Sequence, residues 1–338
     1  MALFLLLFSK DKELGRKFLY QNPDGSQYFS GDLFESSGVT QFREKIIKFE
    51  EDKTSPLVSS NILMQGDSFM LTDYDSKPLP NVLKNVTGKN IFFYKNEDKE
   101  ITPLTYLKDI GYRAGAPKIF IYETIERHSD TRALALTSDF SDKAEAPVDQ
   151  KIVTLRKAIG HFIFDEVDVE YFIRNNFIFR PVILWLKNEA FLWFGSLDEK
   201  TPVYLDKPKM LFNVSEVYFY NDKSKFKSID KMADNISQEA KLLKDKYNLT
   251  LVYLVIPTKI SIYGGLLDNF KKYDDFIPIL QTALAKRDVI YVDVYDVFKN
   301  YSQKKPESKL YYAGDSHYNS LGKNLLVETL INSNIGLK

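Results

Sequence analysis

Five short runs dense in β-branched and aromatic residues constrain this chain more than any other feature. They are residues 60–68, whose apolar part is Ile62, Leu63 and Met64, then 90–94 (N-I-F-F-Y), 118–122 (K-I-F-I-Y), 249–256 (L-T-L-V-Y-L-V-I) and 289–295 (V-I-Y-V-D-V-Y). Each has strand length and strand composition. Helical spacing alternates with the later runs, at 229–247, 273–286 and 320–331. Alternating strands and helices predict an α/β fold with a parallel sheet covered on both faces, because right-handed crossovers lay helices on each side. Residues 1–58 read as a polar lead-in with a turn at Asn22-Pro23-Asp24-Gly25 and a helix over 40–51, and residues 59–335 as the main domain. Between 129 and 215 the alternation breaks. That stretch reads as an insertion whose aromatic part, 162–194, packs on the core, lines a substrate groove or touches a membrane surface.

Bulk properties narrow the function classes. Lys plus Arg and Asp plus Glu both number 46 in 338 residues, so no charge excess draws the chain to nucleic acid. Zero cysteines exclude disulfides, thiolate metal sites and cysteine nucleophiles. The three histidines, His128, His161 and His317, are far apart and show no metal-ligand spacing, so no metal or other cofactor is expected. The apolar run at residues 2–8 is far shorter than the roughly 20 residues of a spanning helix. It reads either as a short buried element or as the tail of a truncated anchor.

Chemistry concentrates in two motifs. Gly66-Asp67-Ser68-Phe69 stands where a strand is expected to end and a helix to begin, a position that presents the Ser68 hydroxyl at the carboxyl edge of the sheet with its own N–H available to an oxyanion. Gly314-Asp315-Ser316-His317-Tyr318-Asn319 supplies a base, His317, and two residues earlier a carboxylate, Asp315, able to fix its tautomer. Taken singly, each motif also suits a turn or a helix cap. As a pair, on one edge of an α/β sheet, they suit acyl transfer through a serine.

G-D-S-F near the start and D-x-H near the end resemble the first and last blocks of the SGNH (GDSL-type) hydrolases, which implies a flavodoxin-like three-layer α/β/α sandwich. Pro257-Thr258-Lys259-Ile260-Ser261-Ile262-Tyr263 resembles the P-x-K-x-x-I-Y stretch of alginate O-acetyltransferase-like proteins. Asp315-Ser316-His317-Tyr318-Asn319-Ser320-Leu321-Gly322 resembles their D-x-H-W-N-x-x-G, with tyrosine for tryptophan, and Tyr122-Glu123-Thr124-Ile125-Glu126-Arg127 their W-E-x-x-E-R. In those proteins the D-x-H block precedes the serine block; here it follows, a permuted order matching ordinary SGNH hydrolases. The resemblance covers roughly residues 60–127 and 209–330. It implies an O-acyltransferase that acetylates an extracytoplasmic polysaccharide, served by a membrane-bound O-acyltransferase as acyl donor, and hence an exported or anchored chain. A carbohydrate esterase with the same triad and a non-catalytic carbohydrate-binding or scaffolding component are the alternatives. Candidate oxyanion or substrate residues are Gly66 and Asp67 beside the serine, Gly88 and Asn90 in a G-x-N, Arg127, Lys259, and Tyr263 and Tyr318 as sugar-stacking rings.

Overall fold

The computed structural model describes residues 28–29, 31–47, 49, 55–72, 74–95, 102–115, 119–136, 179–268, 270, 272–333 and 335–337. Its centre is a parallel sheet of β1 (Ile62–Gly66), β2 (Ile91–Lys95), β3 (Ile119–Ile125), β4 (Thr250–Ile256) and β5 (Ile290–Val292). The spatial order is β2-β1-β3-β4-β5, the doubly wound order of flavodoxin-like sheets. In register, Ile62 lies beside Ile91 on one side and Ile119 on the other. After its first residue every side chain of β4 is buried, as a strand covered on both faces requires.

The helices are α1 (Asp32–Ser37), α2 (Leu79–Thr87), α3 (Pro103–Asp109), α4 (Ser129–Ala135), α5 (Phe179–Phe194), α6 (Val214–Asn221), α7 (Ile229–Tyr247), α8 (Lys259–Tyr263), α9 (Phe276–Ala285), α10 (Val294–Lys304) and α11 (Ser320–Asn332). One layer joins α3, α4 and α9 to α7, whose buried Met232, Ile236 and Leu243 recur at helical spacing. The other joins α2, α11, α10 and α8, and the two layers enclose the sheet. The expected three-layer sandwich is the architecture observed.

Three local expectations change. Among the described residues of the 40–51 span there is no α-helix: a single 3-10 turn at Thr40–Phe42 gives way to Ile46–Ile47, which pairs antiparallel with Tyr28–Phe29. The run at 289–295 stops being a strand at Val292 because Asp293 accepts a hydrogen bond from the Asp296 N–H and caps α10. The segment after Ser68 is a turn, since Asp67 Oδ1 takes the Phe69 N–H at 2.9 Å, and helix begins only at Leu79. Of the aromatic stretch 162–194, residues 162–178 lie outside the described part. In α5, Phe191 packs edge-on to Phe42 and Tyr204 in a small second cluster, while Trp185, Leu186, Leu192, Trp193 and Phe194 are exposed. Among the described residues no helix is long and apolar enough to cross a membrane. The apolar run at residues 2–8 also lies outside the described part.

Candidate active site

Ser68 stands two residues after β1 at the carboxyl edge of the sheet, and its side chain is exposed. His317 reaches it from 249 residues away, with Nε2 2.9 Å from Ser68 Oγ. On the other side of the ring, Nδ1 lies 2.7 Å from Oδ1 of Asp315, which is fully buried. A carboxylate only accepts, so Nδ1 carries the proton and Nε2 is left to accept from the serine hydroxyl. The ring rests on Phe69, with centroids 4.4 Å apart, and meets Tyr74 edge-on at 5.8 Å. No described residue accepts from the Ser68 N–H, which leaves that donor for an oxyanion.

The electrostatics suit a base held by an acid. Burial works against a charged imidazole, but the Asp315 carboxylate, its hydrogen bond and the charge of Asp32 outweigh it, and His317 sits above the ordinary histidine value. Asp315 moves the other way: burial is overcome by His317 and by hydrogen bonds from the His317 and Asp32 N–H groups, so it stays ionised.

A residue invisible to motif reading stands behind this pair. Asp32, at the start of α1, accepts from the Ser316 N–H at 2.8 Å and from the Ser316 hydroxyl at 2.7 Å, while its own N–H donates to Asp315 Oδ2 at 2.9 Å. The Phe34 N–H donates to Gly314 O at 2.8 Å. Gly31 has φ +99°, and a Cβ there would collide with the Gly314 carbonyl, so only glycine admits this approach. Glu44 takes the Ala313 N–H and pairs with Lys309, and Tyr312 donates to Asp75. The segment expected to be a lead-in therefore clasps the loop that carries the acid and base.

Several sequence candidates prove to be supports. Lys259 is wholly buried, and its ammonium donates to the carbonyls of Leu211, Tyr312 and Asp315 at 3.0, 2.7 and 2.5 Å. It is spent on the loop and has no donor left for a sugar or an oxyanion. Tyr263 is buried, accepting from the Leu310 N–H and donating to Ser308 O, and Tyr318 is buried with its hydroxyl on Phe69 O. Neither ring is open to a sugar. The Asp67 N–H goes to Glu123 Oε2 at 2.8 Å, and its carboxylate pairs with Arg132 at 2.8 Å. Gly66 is required because a Cβ would strike the Glu123 carboxylate. Gly88 and Asn90 lie at the opposite edge. Gly88 closes α2 in the left-handed region, and Asn90 precedes β2, bonded to Asn61 and Ser59. In a parallel sheet that is the amino edge, about five residues of strand from Ser68, or roughly 16 Å.

Arg127 does stay near the chemistry. Its guanidinium lies 5.5 Å over the Phe69 ring that also carries His317, and it pairs with buried Glu216 at 2.9 Å. Burial, partly countered by Arg127 and Lys259, pushes the Glu216 carboxyl up to about 7. His128 is half-buried next to this group, with its imidazole lowered to about 4 by burial and by Arg127 and Arg132, and it takes no part in the triad. His161 lies outside the described residues.

Asp32, Asp315 and His317 bring potential ligand atoms within 4.8 Å of one another. Those atoms are already joined to each other, to Ser68 and to Ser316 by hydrogen bonds, so the group reads as a proton-handling network. Compared with known proteins, the chain matches no family model and no curated sequence.

Proposed function

We propose that this protein is a serine-dependent O-acyltransferase working through an acyl-Ser68 intermediate. The observation that carries the reading is the unbroken chain from Ser68 Oγ to His317 Nε2, 2.9 Å, and from His317 Nδ1 to Asp315, 2.7 Å. His317 takes the proton as Ser68 Oγ bonds to the carbonyl carbon of an acyl ester. The oxyanion is met by the Ser68 N–H, each such donor contributing about 3 kcal/mol. When the ester C–O bond breaks, His317 returns the proton to the leaving oxygen, and a second hydroxyl, deprotonated by the same imidazole, then takes the acyl group and frees Ser68. The resemblance in motif favours an acetyl group and a polysaccharide hydroxyl outside the cytoplasm, with a membrane-bound O-acyltransferase as donor. Water as the second nucleophile makes the same site a carbohydrate esterase.

Intact mass after incubation with an activated acetyl ester tests this. One acetyl adduct is expected on the wild type and none on Ser68→Ala. Acetyl recovered on added oligosaccharide identifies a transferase, and release only as acetate identifies an esterase. A wild type that neither gains an adduct nor turns over any ester would defeat both and favour a binding component.

A further inference from the structure

We propose that Asp32 is a positioning residue of this site, whose carboxylate clamps Ser316, aligns the Asp315–His317 pair with Ser68, and sets a second negative charge behind the imidazole. The inference rests on the acyl-transfer reading for its catalytic consequence, and on geometry and charge for its effect on His317.

Both oxygens of Asp32 reach Ser316, and Oδ1 also accepts from the Leu33 N–H at 2.8 Å. Oδ1 accepts from the Ser316 N–H at 2.8 Å and Oδ2 from the Ser316 hydroxyl at 2.7 Å, an arrangement that fixes the one residue lying between Asp315 and His317. The Asp32 N–H closes the ring by donating to Asp315 Oδ2, the oxygen that His317 leaves unused. Asp315 therefore has one oxygen on the imidazole and the other on the backbone of α1, and cannot rotate without losing a partly buried hydrogen bond. The clamp recruits a segment 283 residues away in sequence.

Charge is the second half of the role. Asp32 is half-buried, and burial followed by repulsion from Asp315 raises its carboxyl, while His317 and the Ser316 bonds oppose that rise. The charged groups that interact with it are Asp315 and His317 on the loop, Glu216 on α6 and Lys259 on α8, while Arg127, after β3, acts on His317. Asp315 and Asp32 favour the imidazolium and Arg127 opposes it. A base that must hold a proton during each half-reaction gains from a second carboxylate that does not compete for its Nδ1.

Asp32→Asn tests the charge while retaining the shape and one acceptor, and Ser316→Ala tests the clamp while retaining the charge. Side-chain NMR titration of His317, assigned with His128→Gln and His161→Gln, reads the imidazole whether or not any substrate is known. Asp32→Asn is expected to fold as the wild type, to move the His317 midpoint to lower pH, and to slow Ser68 acylation by an activated ester roughly tenfold with KM unchanged. Ser316→Ala should leave the midpoint near that of the wild type. An unchanged midpoint in Asp32→Asn, or equal shifts in the two variants, overturns the proposal. If wild-type Ser68 accepts no acyl group while the midpoints behave as stated, it is the acyl-transfer reading that fails.

Discussion

The proton on His317 has opposite consequences for chemistry and for folding. On the proposed acyl-transfer reading, acylation needs the neutral ring, so its rate should climb with pH through a midpoint above the ordinary histidine value of 6.5, because the imidazolium is favoured by Asp315 and Asp32 despite burial. Stability runs the other way: a raised folded pKa means the bound proton supports the fold at low pH, and that support is lost as pH rises through the folded midpoint. A pH–rate profile for acyl-enzyme formation with its inflection at or below 6.5 contradicts this account. The meeting of Ser68, Asp315 and His317 was legible in sequence because their residue types and loop spacing suggest a hydrogen-bonded acid, base and hydroxyl. Asp32 was not, since a Gly-Asp pair in a polar stretch gives no sign of a partner 284 positions away. Lys259, Tyr263 and Tyr318 were read as site-facing because residue type was visible and side-chain direction was not.

Short elements do most of the positioning. At the first turn of α8, Lys259 gathers three backbone carbonyls from the 209–212 strand, which lies outside the central sheet, and the 312–315 loop, tying both to the end of β4. Lys259→Met should leave those carbonyls buried without a donor. A loss of about 3 kcal/mol is expected, with acyl-transfer activity falling in parallel as the loop shifts. Urea unfolding checks it, and a variant within about 0.5 kcal/mol of the wild type counts against the brace. Strand identities were readable from composition, but strand ends were set by capping contacts such as that of Asp293. Gly88 and Asn90 illustrate a readable error: both precede a strand, and the reactive edge of a parallel sheet lies after it.

Across the whole molecule, acid chemistry is built into the interior. Glu216 is buried with its carboxyl near 7 because burial outweighs Arg127 and Lys259. Its folded pKa exceeds the unfolded value of 4.5, so the folded state holds this proton more tightly, and stability from this group declines as pH rises from about 4.5 to 7. Glu216→Gln should remove that slope, so that the wild type loses up to about 3 kcal/mol relative to the variant between pH 4.5 and 8. Equilibrium unfolding at the two pH values measures it, and parallel curves for the two proteins contradict it. The parallel sheet covered on both faces followed from alternating runs, whereas the hold of residues 31–47 on the 312–316 loop did not, because contacts between remote segments leave no periodic trace. Those remote contacts also set a timetable. The serine is synthesised 249 residues before its base, and closure over so long a span comes late in folding, after local helices and adjacent strands have formed. On the acyl-transfer reading, a nascent chain carries an inert hydroxyl until the last loop docks, and recovery of activity on refolding should trail recovery of circular dichroism.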